Sequence, residues 1–172
     1  MKSHLCPLIA SIIVASACSV DCYREYRDSD RFDPSIEDGK QKCRDKIGLP
    51  CYVEFRSKVE SVVAYVSVYL NYSLEPQVER AIKARTKDPT RPATFDYIDG
   101  LEVARGYNFD GEARVLVIHA IFKGLTTGNA LALVVCVNHS DEAAISLYTR
   151  ARFQKIEEEK DMLYLAHYYY RS

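Results

Sequence analysis

Apolar and polar positions alternate in blocks along this chain, and the spacing inside each block changes from one end to the other. The first block, residues 5–17 (LCPLIASIIVASA), is apolar throughout and follows Lys2. Its length suits the apolar core of an export signal and falls short of the roughly 20 residues that a membrane-spanning helix needs. Residues 19–50 then carry dense charge and turn-formers. They predict an irregular arm with a short helix around Ile36–Lys46.

The next block, residues 58–72, fits two periods at once. Val59, Val62, Val63, Val66 and Leu70 recur at helical spacing, and Ser57 with Glu60 has capping-box spacing. Val62, Ala64, Val66, Val68, Leu70 and Tyr72 alternate as a strand would. We assign a helix here. Residues 73–88 predict a second helix, with Ser73 as cap, Pro76 in the first turn and Leu74, Val78, Ala81 and Ile82 on one face; Pro89 and Pro92 stop it.

From residue 94 the pattern predicts strands. Asp99-Gly100 and Asp110-Gly111 punctuate short apolar runs. Residues 112–124 and 129–139 read as two strands joined by a GLTTGN hairpin, and residues 143–156 and 161–172 as another pair across EEEKD. Helices followed by a run of strands predict an α+β fold, with one or two N-terminal helices packed on an antiparallel meander of about 5–6 strands. The expected organisation is a signal peptide at 1–19, the charged arm at 20–50 and a single α+β domain at 51–172.

Composition narrows the function classes. The 23 basic and 24 acidic residues are well mixed, which argues against a dedicated nucleic-acid binder, whose affinity needs clustered cations. The 13 Tyr against no Trp suit an amphipathic aromatic contact surface.

Signal cleavage can fall at Ala17/Cys18 or at Ser19/Val20, and VASAC resembles a bacterial lipobox in which Cys18 would carry lipid. With Cys18 removed or acylated, Cys22, Cys43, Cys51 and Cys136 remain, enough for two disulfides; an odd thiol would be unusual for an exported chain. If all four pair, at least one of the first three reaches Cys136 and staples the arm to the sheet. Asn71-Tyr72-Ser73 and Asn138-His139-Ser140 are N-glycosylation triplets and favour a eukaryotic secretory route. The expected location is therefore secreted or extracellular, with a bacterial envelope lipoprotein as the alternative.

Catalytic signatures are scarce. In the expected hairpin, His119 and His139 lie on opposite faces or about 13 Å apart, too far for a histidine pair. The chain has no G-x-S-x-G elbow and no His-x3-His or Cys-x2-Cys metal spacing. GLTTGN lacks the Gly-Lys-Ser/Thr ending of a phosphate loop, and Gly39 stands where a calcium loop beginning at Asp28 needs an acid. No metal and no cofactor is implied.

The C-terminal LYLAHYYYRS places Tyr164, Tyr168 and Tyr170 in one row of a strand, with His167 and Tyr169 on the other side. These residues are the candidate binding surface. The reading is an exported, non-catalytic binding protein: a secreted effector, inhibitor or envelope adaptor. Its partner would be another protein or a small apolar ligand, with membrane contact only through a lipidated Cys18. The alternative is a small secreted hydrolase whose layout is similar to fungal ribonucleases, using His119 or His167 with Glu102 or Glu112 and Arg114.

Overall fold

The computed structural model describes residues 22–36, 39–44, 50–127 and 129–169. The described residues form eleven elements in chain order. They are β1 (Cys22–Glu25), α1 (Gly39–Arg44), β2 (Cys51–Arg56), β3 (Ser61–Tyr72), α2 (Pro76–Lys83), β4 (Phe95–Val103), α3 (Phe109–Thr127), β5 (Ala132–Asn138), α4 (Glu142–Arg150), β6 (Gln154–Glu159) and β7 (Met162–Tyr168). The strands form one sheet in the order β1-β2-β3-β4-β5-β7-β6. Every neighbouring pair is antiparallel except β4 and β5, which run parallel because α3 carries the chain back between them.

This is a mixed sheet flanked by helices, and it corrects the expected meander under N-terminal helices. Three segments account for the change. Residues 58–72 hold the central strand β3, whose positions 62–68 are all buried. A strand covered on both faces loses its alternation and reads as a continuous apolar run, so helical spacing appears in it by accident. Residues 109–127 form a helix because Ala113, Leu116, Val117 and Ala120 pack on the sheet, while Asp110 and Glu112 suit the positive end of the helix dipole. This helix keeps apolar residues on its outer side too, which erased the amphipathic signal. Residues 142–150 form α4, started by Asp141, whose carboxylate accepts from Ala144 N at 2.9 Å.

The helices divide between the two faces. α3 and α4 cover a core of Val66, Val68, Ile98, Leu133, Val135, Leu163 and Leu165, joined by Leu116, Val117 and Leu147. On the other face, α2 buries Val78 and Ile82 against Phe95, Ala132, Val134 and Ala166. Cys43 of α1 and the preceding Ile36 pack on Val53, Val63 and Tyr65. The chain stretch expected as an irregular arm thus contributes both β1 and α1.

Among the described residues no helix is long and apolar enough to cross a membrane. The expected signal peptide, its cleavage sites and Cys18 lie outside the described residues, as does Tyr170.

Candidate functional site

β4 and β5 pair only over Phe95–Ile98 and Ala132–Val135. Beyond those residues β4 continues to Val103 against β3 alone, and β5 continues to Asn138 against β7 alone. The register slips between Ser67 and Val68 of β3, so Gly100 and Ile98 become successive partners and Asp99 is the extra residue of a bulge. A wedge therefore opens between the carboxyl ends of two parallel strands. In open α/β sheets a crevice at this position receives ligands.

The turn after β4 leads from the carboxyl end of β4, one side of the wedge, into the start of α3. Gly106 sits at φ 89°, a left-handed conformation that turns the chain at little cost in a residue without Cβ. Asn108 then accepts from Gly111 N with its side chain and from Glu112 N with its carbonyl. With the Gly111 and Glu112 N–H groups paired to Asn108, the dipole behind the helix start is what favours an anion at this end. Its two acids are occupied by arginines: Asp110 meets Arg150 at 2.7 Å and Glu112 meets Arg56 at 2.7 Å. Arg105 and Arg114 stand exposed beside them.

Glu112 belongs to a buried cluster behind the helix start. Arg56 bridges it to Glu54 at 2.5 Å, and Tyr23 donates its hydroxyl to Glu112 at 2.7 Å. Burial, a hydrogen bond with Glu112 and the Glu112 charge push the Glu54 carboxyl up to about 7. Burial raises Glu112 as well, but hydrogen bonds from Glu54 and Tyr23 and the Arg56 charge outweigh it and hold this group below the ordinary range. A protonated Glu54 donating to an ionised Glu112 satisfies both directions.

Four titratable side chains converge on the wedge itself. Tyr97 of β4 is raised well above the ordinary tyrosine range by burial, then by Cys136, Tyr72, Tyr164 and Asp99. Burial pushes up the Cys136 thiol, which lies across β5 from Tyr164 of β7. Tyr164 is pushed up to about 12 by burial and by Cys136. Tyr148 of α4 is raised by burial and then by Tyr97 of β4. Tyr72 stacks on Tyr97 at 4.7 Å between ring centroids and extends the aromatic surface outward.

The expected site residues are distributed as follows. Tyr164 and Tyr168 share a face of β7; Tyr168 donates to the Ile82 carbonyl at 3.0 Å, which ties it to α2. His167 points to the opposite face, with Nδ1 3.1 Å from the Ala151 carbonyl. His119, on α3, packs against the Tyr52 ring at 4.7 Å, and His139 lies at the surface 3.7 Å from Glu158. The Cys43–Cys51 disulfide holds α1 to β2. Cys22 on β1 lies outside that bond, and Cys136 on β5 is a free thiol, so no bridge runs from the arm to Cys136. Asn71 and Asn138 are both exposed; Asn138 Oδ1 accepts from Ser140 N and Oγ. A separate cleft of about 380 Å³, edged by Lys83, Lys87, Asp88 and Arg91, lies beside Ala93 and Leu131 at the opposite, amino ends of β4 and β5. Among the described residues no cluster of His, Cys, Asp and Glu has a metal-binding arrangement.

No family model matches the sequence. No curated protein matches it either. The fold, in contrast, matches solved structures across most of its length. Arabidopsis thaliana NAA60 in complex with acetyl-CoA superposes with a TM-score of 0.62 at 15% identity, over 87% of this chain and 98% of that one. A point mutant of the AtaT toxin, bound to the C-terminus of the antitoxin AtaR and to acetyl-CoA, gives 0.57 at 17% identity over 85% and 92%. The ribosomal-protein-S5-alanine acetyltransferase from Vibrio fischeri gives 0.60 at 13% identity over 85% and 91%.

The chain has a GNAT acetyltransferase-like fold. This finding overturns the non-catalytic binding protein and the ribonuclease-like hydrolase, neither of whose layouts is present. It also displaces a protein or small apolar ligand as the expected partner: the NAA60 and AtaT-mutant structures hold acetyl-CoA, and AtaT is also found with acetyl-methionyl-tRNAfMet. The labels secreted, signal peptide and effector gain no support from these acetyltransferases; of that set of labels, the disulfide is present.

Proposed function

We propose that the protein is an acyl-CoA-dependent acetyltransferase that uses the β4–β5 wedge as its active site. The observation that carries this reading is the parting of two parallel strands at the carboxyl end of β4, from which the chain turns into α3. An anion-binding helix end and a narrow slot between strands suit a ligand with a diphosphate at one end and a long, thin thioester arm at the other. Arg105 and Arg114 supply positive charge outside the helix start. The open strand edges in the wedge offer backbone groups to the amide-bearing arm.

The reaction moves an acetyl group from sulfur to an acceptor nitrogen. The acceptor's lone pair attacks the thioester carbonyl carbon, the carbon–sulfur bond breaks, and the sulfur leaves as a thiolate that takes up a proton. The amine surrenders one proton as the new bond forms. Tyr148, held with its phenol protonated, is the proton donor to the sulfur in this reading. Tyr97, Tyr72 and Tyr164 form the aromatic approach for the acceptor, and Glu102 provides a carboxylate on the same strand face as Tyr97.

The test is turnover. Purified protein is incubated with acetyl-CoA and a panel of primary amines, including peptides with free N-termini, and release of the CoA thiol is followed with a chromogenic thiol reagent. Acceptor-dependent release that falls at least tenfold in Tyr148→Phe supports the assignment. No release with any acceptor, together with no binding of acetyl-CoA, refutes it.

A further inference from the structure

The acceptor side of the wedge carries charge that acetyl transfer by itself does not require. Three tyrosine rings from β3 and β4 stand in a row there. Tyr69 lies 5.6 Å from Tyr72 between ring centroids, and Tyr72 lies 4.7 Å from Tyr97. Tyr72 is 39% exposed, so the row opens to water and is not spent on the core. Tyr97 and Tyr164 both pack beside the cluster that α2 forms with Phe95, Val134 and Ala166, which places them on the α2 face of the sheet.

Two exposed carboxylates border that surface from different elements. Glu75 stands at the N-cap of α2, but its side chain caps nothing. Glu159 ends β6, and Gln77 donates to it at 3.0 Å, which draws the acidic end of β6 to the first turn of α2. Burial comes first among the causes that raise the Tyr164 phenol, followed by Cys136, Glu159 and Glu75. The Cys136 thiol, raised by burial, also feels Glu159. The fixed charges acting on these two wedge groups are therefore negative.

A neutral acceptor would use the rings and gain nothing from the acids. An ammonium gains from both, because the face of a tyrosine ring attracts a cation and the carboxylates add a Coulomb attraction. The attacking amine needs a free lone pair and so is uncharged when it reacts. A cation held on this surface must then be a second centre of the same molecule. We infer that the acceptor is an alkyl polyamine: one neutral amine reaches the wedge while an ammonium further along the chain rests on the Tyr72–Tyr97–Tyr164 surface, drawn by Glu75 and Glu159. This inference rests on the wedge being the site of acetyl transfer, and the transfer is unchanged by it. The acetyl group passes from sulfur to the neutral amine, that amine gives up its proton, the sulfur takes one, and the remote ammonium keeps its charge throughout.

The experiment compares putrescine with n-butylamine, a monoamine of the same carbon chain, as acceptors for the full chain and acetyl-CoA. The expected kcat/KM is about tenfold higher for putrescine, and added salt narrows the gap. Glu75→Gln with Glu159→Gln should bring the ratio down to about twofold, the statistical factor for two equivalent amines, whereas Glu75→Asp with Glu159→Asp keeps most of the preference. A ratio of about two in the native chain, or one that the Gln pair leaves unchanged, overturns the inference and leaves the acetyltransferase reading standing. Turnover of neither amine by a protein that binds acetyl-CoA also overturns the polyamine assignment alone. Failure to bind acetyl-CoA removes the active-site reading as well.

Discussion

The two ends of the β4–β5 pair differ in almost every physical respect. At the amino end, Phe95 to Ile98 face Ala132 to Val135 in an unbroken parallel ladder, and Phe95, Ile98, Leu133 and Val134 are buried by helices on both faces. Just past that ladder, whose Tyr97 pairs with Val134, the same two strands separate, and their neighbourhood changes to titratable: Cys136, Tyr148 and Tyr164. One end stabilises the sheet and fixes the angle of the strands. The other uses that fixed angle to hold open a slot. Interior packing near crystal density transmits position well, so a rigid closed end is what gives the open end a defined width.

Perturbing the closed end should have the largest effect on stability. Leu133→Ala removes a fully buried side chain and should cost about 2–5 kcal/mol. Denaturant unfolding would read this as a lower midpoint, and the affinity for acetyl-CoA should fall with it. At the open end, Tyr148→Phe should lower kcat by about 100-fold while the unfolding free energy changes by less than about 1 kcal/mol. If both variants lose stability alike, the two ends are not functionally distinct.

An effect of similar size belongs to the arm. Replacing Cys43 and Cys51 by Ser opens a short loop whose closure is worth about 2–3 kcal/mol on chain-entropy grounds. The loss should appear in unfolding and leave turnover at 25 °C nearly unchanged, because Cys43 of α1 packs in a different core cluster from Tyr148, the proton donor.

A smaller effect comes from the cluster behind α3. The folded-state value of Glu54 lies above its unfolded one, so the folded protein binds the proton more tightly. Stability from this group is present at low pH and is lost as pH rises from about 4.5 towards 7. Glu112, held low, acts in the opposite direction and loses its contribution only as pH falls below the ordinary carboxylate range. Glu54→Gln, which mimics the protonated form, should therefore raise the melting temperature at pH 8 and have little effect at pH 5. A variant that destabilises equally at both values would contradict the shared-proton arrangement.

The sequence conveyed these regions unequally, for identifiable reasons. α2 was legible because Pro76 marks its first turn and its exposed side is polar, so Val78 and Ile82 stand out as a single buried face. β3 and α3 were not, because each carries apolar residues on more than one side, β3 through double burial and α3 through its apolar outer side. The mistaken assignment of α3 then turned a parallel crossover into a hairpin, and with it the wedge vanished from view. α4 had a readable start at Asp141, outweighed by the β-rich appearance of its neighbours. The site itself is built from strand divergence, a bulge at Asp99 and a helix dipole, none of which has a side-chain signature. Tyr164 was legible as one member of an aromatic row. Tyr97, Tyr148 and Cys136 join it only through pairings distant in sequence.

The most direct measurement is an equilibrium titration of acetyl-CoA by calorimetry, on the native chain and on Cys136→Trp, which places a large ring in the wedge. One-to-one binding by the native chain that weakens at least tenfold in the variant is the expected result. No binding by the native chain, or equal binding by a folded Cys136→Trp, would contradict the placement of the active site between β4 and β5.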